Sequence, residues 1–212
     1  MLMNETATGK MITDAYLMMS GWELVAVILA LLYLILAMKE RIECWYAALF
    51  STAIYTVIFW DVNLLMESAL QVYYLFMAVF GWYQWRKGPG QEELAIQTWG
   101  LRSHVLTFIG LAFMVLISGY LLSNNTNAAW PYVDSFTTWG SVITTYMVTK
   151  KVLENWLYWL VIDGISIFLY IDRELYLTAI LFALYLVIVC FGYRQWTITY
   201  RRQQNYVWRL HN

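Results

Sequence analysis

Two prolines, two cysteines and two histidines are all that this 212-residue chain contains. Cys44 and Cys190 share no metal-ligand spacing, and both fall near or inside apolar runs. They read as small buried hydrophobes. His104 and His211 are isolated, one at a helix start and one in the tail, and neither is assigned a role. Charge is also scarce. Only 13% of residues are charged, against roughly 25% in ordinary globular chains. The net charge of −1 leaves no basic field for nucleic acid. There is no Ser/His/Asp set, no H-E-x-x-H and no phosphate-cradling glycine loop. The chain therefore calls for no catalytic residues, no metal and no cofactor, and its work cannot draw on ATP. No cleavable signal peptide is expected, because the apolar patch in residues 1–20 is short and is interrupted by Glu5 and Asp14.

What the chain has instead is apolar length. Hydrophobic residues make up 61% of it. Seven apolar stretches can be drawn, at about 22–38, 43–60, 64–85, 103–122, 134–149, 155–171 and 174–196. A membrane-spanning helix needs about 20 such residues, so the expected fold is an all-α integral membrane protein of seven transmembrane helices. Eleven of the thirteen Lys and Arg fall in segments that share one side if the N-terminus is outside, leaving only Lys10 and Arg173 opposite. The positive-inside rule then places the N-terminus outside and the C-terminus in the cytoplasm.

One short phrase occurs twice. Residues 80–86 read FGWYQWR and residues 191–197 read FGYRQWT, 111 positions apart. The same ungapped offset pairs Glu43 with Glu154, Trp45 with Trp156, Asp61 with Asp172 and Tyr74 with Tyr185. The first three helices thus repeat as the last three, with the fourth as a linker. An odd linker makes the halves parallel, an architecture that builds transporters with a site at the repeat interface. The expected segments are 1–19 as an outer N-terminal segment, 20–85 and 131–196 as three-helix repeats, 86–130 as a loop and linker helix, and 197–212 as a basic cytoplasmic tail. Gly81 and Gly192 are expected to permit close packing, as are Gly110, Gly119, Gly140 and Gly164. Trp85 and Trp196 are expected at the interface.

Asp163 is the one ionisable group deep inside a span, and such groups usually face a cavity. Trp156, Trp159, Asp163, Ser166 and Tyr170 follow spacings of 3, 4, 3 and 4, so they share one helical stripe. Two indoles, a carboxylate, a hydroxyl and a phenol suit a flat, polar, cationic ligand. The third span carries a comparable stripe of Glu67, Gln71, Tyr74, Ala78, Gly81 and Trp85. Ser51 and Thr52 add small hydroxyls on the second span, and Thr52 is the 111-offset mate of Asp163. The blander alternative is that these groups serve helix packing, and a ligand receptor without transport is the other functional reading.

The runs ALQVYYLFMAVFGWYQW (69–85) and KKVLENWLYWLVIDGISIFLY (150–170), with the closing FGYRQW, resemble the PnuC family of bacterial vitamin transporters. The resemblance implies a 3+1+3 helix arrangement similar to full-length SWEET transporters, and a homotrimer in the bacterial cytoplasmic (inner) membrane. It also implies facilitated diffusion of a vitamin, then trapping by a cytoplasmic kinase. Carried over by position, the substrate residues fall on Trp156, Trp159, Asp163, Gln71 and Tyr74. Cargo differs among the branches: nicotinamide riboside, thiamine or riboflavin. The nicotinamide riboside branch tends to place asparagines at the positions of Ser51, Ala78 and Asp163, which this chain lacks. A carboxylate that could pair with an aminopyrimidine favours thiamine, with nicotinamide riboside as the alternative.

Overall fold

The computed structural model describes residues 21–61, 65–86, 94–126, 130–173 and 175–211. They form seven α-helices: α1 Gly21–Met38, α2 Cys44–Asp61, α3 Leu65–Trp85, α4 Leu101–Asn125, α5 Pro131–Thr149, α6 Asn155–Asp172 and α7 Tyr176–His211. Among the described residues the only β pairing is an isolated bridge between Gln97 and Val152. Three helices are long and apolar enough to cross a membrane by length and composition: α1, α4 and the Tyr176–Tyr206 part of α7. Helices α2, α3, α5 and α6 carry serines, threonines and Asp163, of which Ser51, Ser68, Ser135, Thr144, Thr145, Thr149, Asp163 and Ser166 are buried.

The helices pack in two sets. Helix α2 lies against α1 and α3, and α6 lies against α5 and α7. Helix α4 rests on α5, and the two sets meet where α1 touches α7 and α3 touches α5. Residues 111 apart repeatedly make the same contacts. A Cβ added to Gly81 would come within 2.3 Å of the Trp45 ring, and one added to Gly192 within 2.6 Å of the Trp156 ring. Both glycines are therefore required for an indole to lie flat against a helix backbone. Trp45 and Trp85 meet edge-on at 5.3 Å and 84°, and Trp156 and Trp196 at 5.4 Å and 87°.

The turns after α1 and α5 are also alike. Arg41 N–H donates to Leu36 O, and Glu40 N–H to Ala37 O. Val152 N–H donates to Met147 O, and Lys151 N–H to Val148 O. Each set is a Schellman cap, whose left-handed residue is usually glycine. Here it is Glu40 (φ 55°) and Lys151 (φ 50°), at a cost of about 1–2 kcal/mol each for a residue with a Cβ. The two strained residues bond to each other: Lys151 Nζ lies 3.1 Å from Glu40 Oε2, with both side chains largely buried. Lys151 Nζ also sits 4.7 Å from the Trp85 ring centroid.

Several expectations are corrected here. Trp85 and Trp196 are buried, not interfacial. Their rings lie 6.1 Å apart, and each indole N–H donates across the two sets, Trp85 to Thr149 O and Trp196 to Ala37 O, at 3.1 Å. Both carbonyls lie at helix C-terminal ends, and Ala37 O accepts from Trp196 as well as from Glu40 N–H. Convergence of the two sets at this end buries rings that a lone span end would expose. Cys190 is exposed, because it lies on the outward face of α7, whereas Cys44 is buried. A Cβ at Gly110 or Gly164 would meet nothing within 4 Å, so neither glycine marks a close approach. Helix α7 continues through residues 197–211, helped by Arg and Gln, which are good helix formers.

Candidate functional site

Asp163 is 4% exposed and stands at the middle of α6. It makes no hydrogen bond or ion pair with any described residue. Ser166, one turn on, is also buried. Tyr74 of α3 and Tyr185 of α7 lie within electrostatic reach of Asp163, and both lie within reach of Tyr170 of α6. Tyr55 of α2 reaches Tyr170 and Tyr185. The site is therefore a carboxylate, a hydroxyl and a ring of phenols supplied by four helices. Phe182 of α7 joins them, 4.9 Å from Tyr170 and 5.2 Å from Tyr185 between ring centroids.

Local packing fixes these side chains. Tyr73 Oη donates to Val142 O of α5 at 2.9 Å, which sets the rotation of α3 and turns its neighbour Tyr74 toward the interior. Gln71 is half-buried one turn earlier, and its amide has no described partner. On the other side of α6, the Tyr158 hydroxyl meets His104 Nδ1 at 2.8 Å, tying α4 to α6. At the opposite end from the tryptophan cluster, Arg173 Nη2 donates to both carboxylate oxygens of Asp134, and Trp130 Nε1 donates to Asp172 Oδ2 at 2.8 Å. Both bonds close the gap between the start of α5 and the end of α6.

Not every expected residue reaches the site in the same way. Asp163 and Ser166 are buried along α6 with Tyr170 half-buried beyond them, and Tyr74 of α3 lies within electrostatic reach of Asp163 and Tyr170. Trp156 is 2% exposed and is spent as a wedge beneath Gly192, edge-on to Trp196. Its rings are covered, so it forms the floor of the cluster and offers no stacking face, and its Nε1 has no described partner. Trp159 is half-buried against the same cluster. The Ser51 hydroxyl donates to Ala26 O of α1 at 2.8 Å, and Thr52 donates back to Ala48 O of its own helix at 2.8 Å. Their protons are therefore committed to backbone carbonyls, which in an apolar setting have no water to turn to. The Glu67 side chain lies outside the described residues. Tyr185, Tyr55 and Phe182 were not anticipated, although Tyr185 is the 111-offset mate of Tyr74 and the repeat could have pointed to it.

The profile of the nicotinamide mononucleotide transporter family matches residues 20–198. Among curated proteins, the chain is similar to the nicotinamide riboside transporter PnuC of Escherichia coli K12. It is 24% identical to it over 204 residues, with 84% of this chain and 85% of that protein covered. It is also similar to the riboflavin/roseoflavin transporter RibM of Streptomyces davaonensis, 22% identical over 186 residues, with 85% and 86% covered. Among solved structures, the vitamin B3 transporter PnuC superposes with a TM-score of 0.69 at 21% identity, covering 84% of this chain and 81% of that one. These relatives are named as transporters, and none of the three is named for thiamine. With a profile spanning most of the chain and a matching fold, the protein belongs to the nicotinamide mononucleotide transporter family, the PnuC family of membrane vitamin transporters.

Proposed function

We propose that this protein carries a small vitamin passively across the bacterial cytoplasmic membrane, and that nicotinamide riboside is its cargo. The observation that carries this reading is the unpartnered carboxylate of Asp163 amid Tyr74, Tyr170 and Tyr185 in a chain of this family. Nicotinamide riboside has a flat ring with a fixed positive charge. A buried carboxylate and π-faces both favour such a cation. Thiamine is also a flat cation, and the expectation of thiamine rests on a carboxylate able to pair with an aminopyrimidine and on the absence of asparagines at positions 51, 78 and 163. The names of the relatives favour nicotinamide riboside.

In this proposal residues 20–85 and 131–196 are parallel three-helix repeats around a linker, in a 3+1+3 arrangement of seven crossings. Its support is the set of equivalent contacts 111 residues apart, the Gly–Trp wedges and the Schellman caps, with the crossed indole bonds matching to within one residue. Rocking of one half on the other would alternate access to the site. The lysines and arginines beside Glu40, Trp85 and Lys151 would face the cytoplasm, where a vitamin kinase traps the cargo, and the working form would be a homotrimer.

Calorimetric titration of the purified protein tests the cargo. Nicotinamide riboside should bind and compete with thiamine. Saturable thiamine or riboflavin binding with no nicotinamide riboside binding would overturn the cargo and leave the class standing.

A further inference from the structure

An apolar crevice of about 210 Å³ opens on the outer side of the first helix set, between α2 and α3. Trp45, Tyr46 and Leu49 line it from α2, and Ala78, Val79 and Trp82 from α3. Tyr46 and Val79 are exposed, so the crevice faces outward, away from Asp163. Its volume exceeds the roughly 150 Å³ of an apolar protein cavity that takes up benzene. The Trp82 indole N–H donates to Tyr46 Oη at 2.9 Å across it, which leaves the wall without a free polar group from that pair.

A cation stands at its mouth. Arg86, one turn beyond Trp82, holds its guanidinium 5.3 Å from the Trp82 ring centroid and 5.5 Å from that of Tyr83. Arg86 is exposed and makes no ion pair with any described acidic residue. It follows the last residue of α3, at the same end of the bundle as the turn that carries Lys39 and Arg41. That end is the level at which lipid phosphates lie if the helices cross a membrane.

The second helix set differs at the corresponding positions. At the 111-offset positions, Val189 stands for Ala78, Leu157 for Tyr46 and Thr197 for Arg86. Valine is larger than alanine, and threonine carries no charge. The small side chain is thus changed between the halves, while the second half keeps an exposed arginine nearby, Arg194, at the mate position of Tyr83.

We propose that this crevice is a binding site for an anionic phospholipid, with one acyl chain against Trp45, Leu49 and Ala78 and the phosphate on Arg86. Charge complementarity selects the occupant: the apolar crevice suits hydrocarbon, and a guanidinium held by two rings, with no ion pair to any described acid, suits a phosphate. Arg86 supplies the headgroup preference and Ala78 the room for the chain.

The test is native mass spectrometry of the full-length protein in mixed micelles of equimolar dioleoyl phosphatidylglycerol and dioleoyl phosphatidylcholine. The wild type should retain phosphatidylglycerol over phosphatidylcholine by about fivefold, the effect of one cation near a lipid surface. Arg86→Gln should bring the ratio close to one while lipid still binds. Ala78→Val should lose both lipids. Equal retention of the two lipids by the wild type, or an Arg86→Gln protein with an unchanged ratio, would overturn the proposal. So would a crevice filled by a second copy, seen as a change of oligomer mass with Ala78→Val and no retained lipid. Arg86 is exposed, so its variant keeps the test informative even if Ala78→Val unfolds.

Discussion

Reversing the charges at positions 40 and 151 isolates what the paired turns contribute. Lys151 Nζ and Glu40 Oε2 lie 3.1 Å apart, with side chains 8% and 18% exposed. At an effective dielectric near 20, that separation corresponds to about 5 kcal/mol of gross attraction, much of it offset by desolvation. Removing one partner of a buried pair costs about 3–5 kcal/mol. Glu40 keeps some contact with solvent, so Lys151→Met should cost toward the lower end, about 2–4 kcal/mol. For a chain of this size that is a fall of roughly 5–15 °C in apparent melting temperature. Tryptophan fluorescence in detergent reads it well, because Lys151 lies on the Trp85 ring. Both positions have nearly the same left-handed backbone, so the double variant Glu40→Lys/Lys151→Glu can rebuild the pair with its ends exchanged. It should recover most of the loss. A deficit of about 0.5–2 kcal/mol should remain, because the cation leaves Trp85. If the reversed pair is as unstable as the two single reversals added together, the ion pair does not hold the turns and the reasoning fails.

Two further perturbations follow from the same geometry. Gly81→Ala and Gly192→Ala each place a methyl within 2.6 Å of an indole ring. Each should destabilise by about 1–3 kcal/mol, as overpacking does, and shift tryptophan emission, whereas Gly164→Ala, with open space around it, should do neither. Equal effects at all three glycines would contradict the wedge. Arg173→Gln should lower the melting temperature by only a few degrees, since a half-exposed pair contributes about 1 kcal/mol or less. Its effect should shrink in high salt, and a salt-independent loss would mean that Arg173 acts through something other than Asp134.

The sequence announced the helices because apolar runs bounded by charge have few alternatives in a chain with two prolines. It announced the Gly81 and Gly192 contacts because the duplicated phrase keeps Phe-Gly and Gln-Trp in both copies. It misplaced Trp85 and Trp196, since tryptophan at a span end looks the same whether lipid or a second helix set lies beyond it. Trp156 was misread for a related reason. Helical spacing puts it on the Asp163 face, but only the approach of α7 at Gly192 shows that its ring is covered. Ser51 and Thr52 were overvalued, because a buried hydroxyl can spend its proton on a backbone carbonyl without leaving a mark in the sequence. Tyr185 went unseen because a tyrosine among the leucines of α7 has no signal except its repeat mate.

The most direct measurement is uptake of radiolabelled nicotinamide riboside into proteoliposomes, with the wild type beside Asp163→Ala. Wild-type protein should fill the lumen saturably until the concentrations inside and outside are equal. Asp163→Ala should need about ten- to a hundredfold more substrate for half-maximal uptake, the cost of losing a desolvated charge partner. Uptake by Asp163→Ala that matches the wild type at every concentration would contradict the account, as would wild-type liposomes that bind the vitamin at their surface and never release it inside.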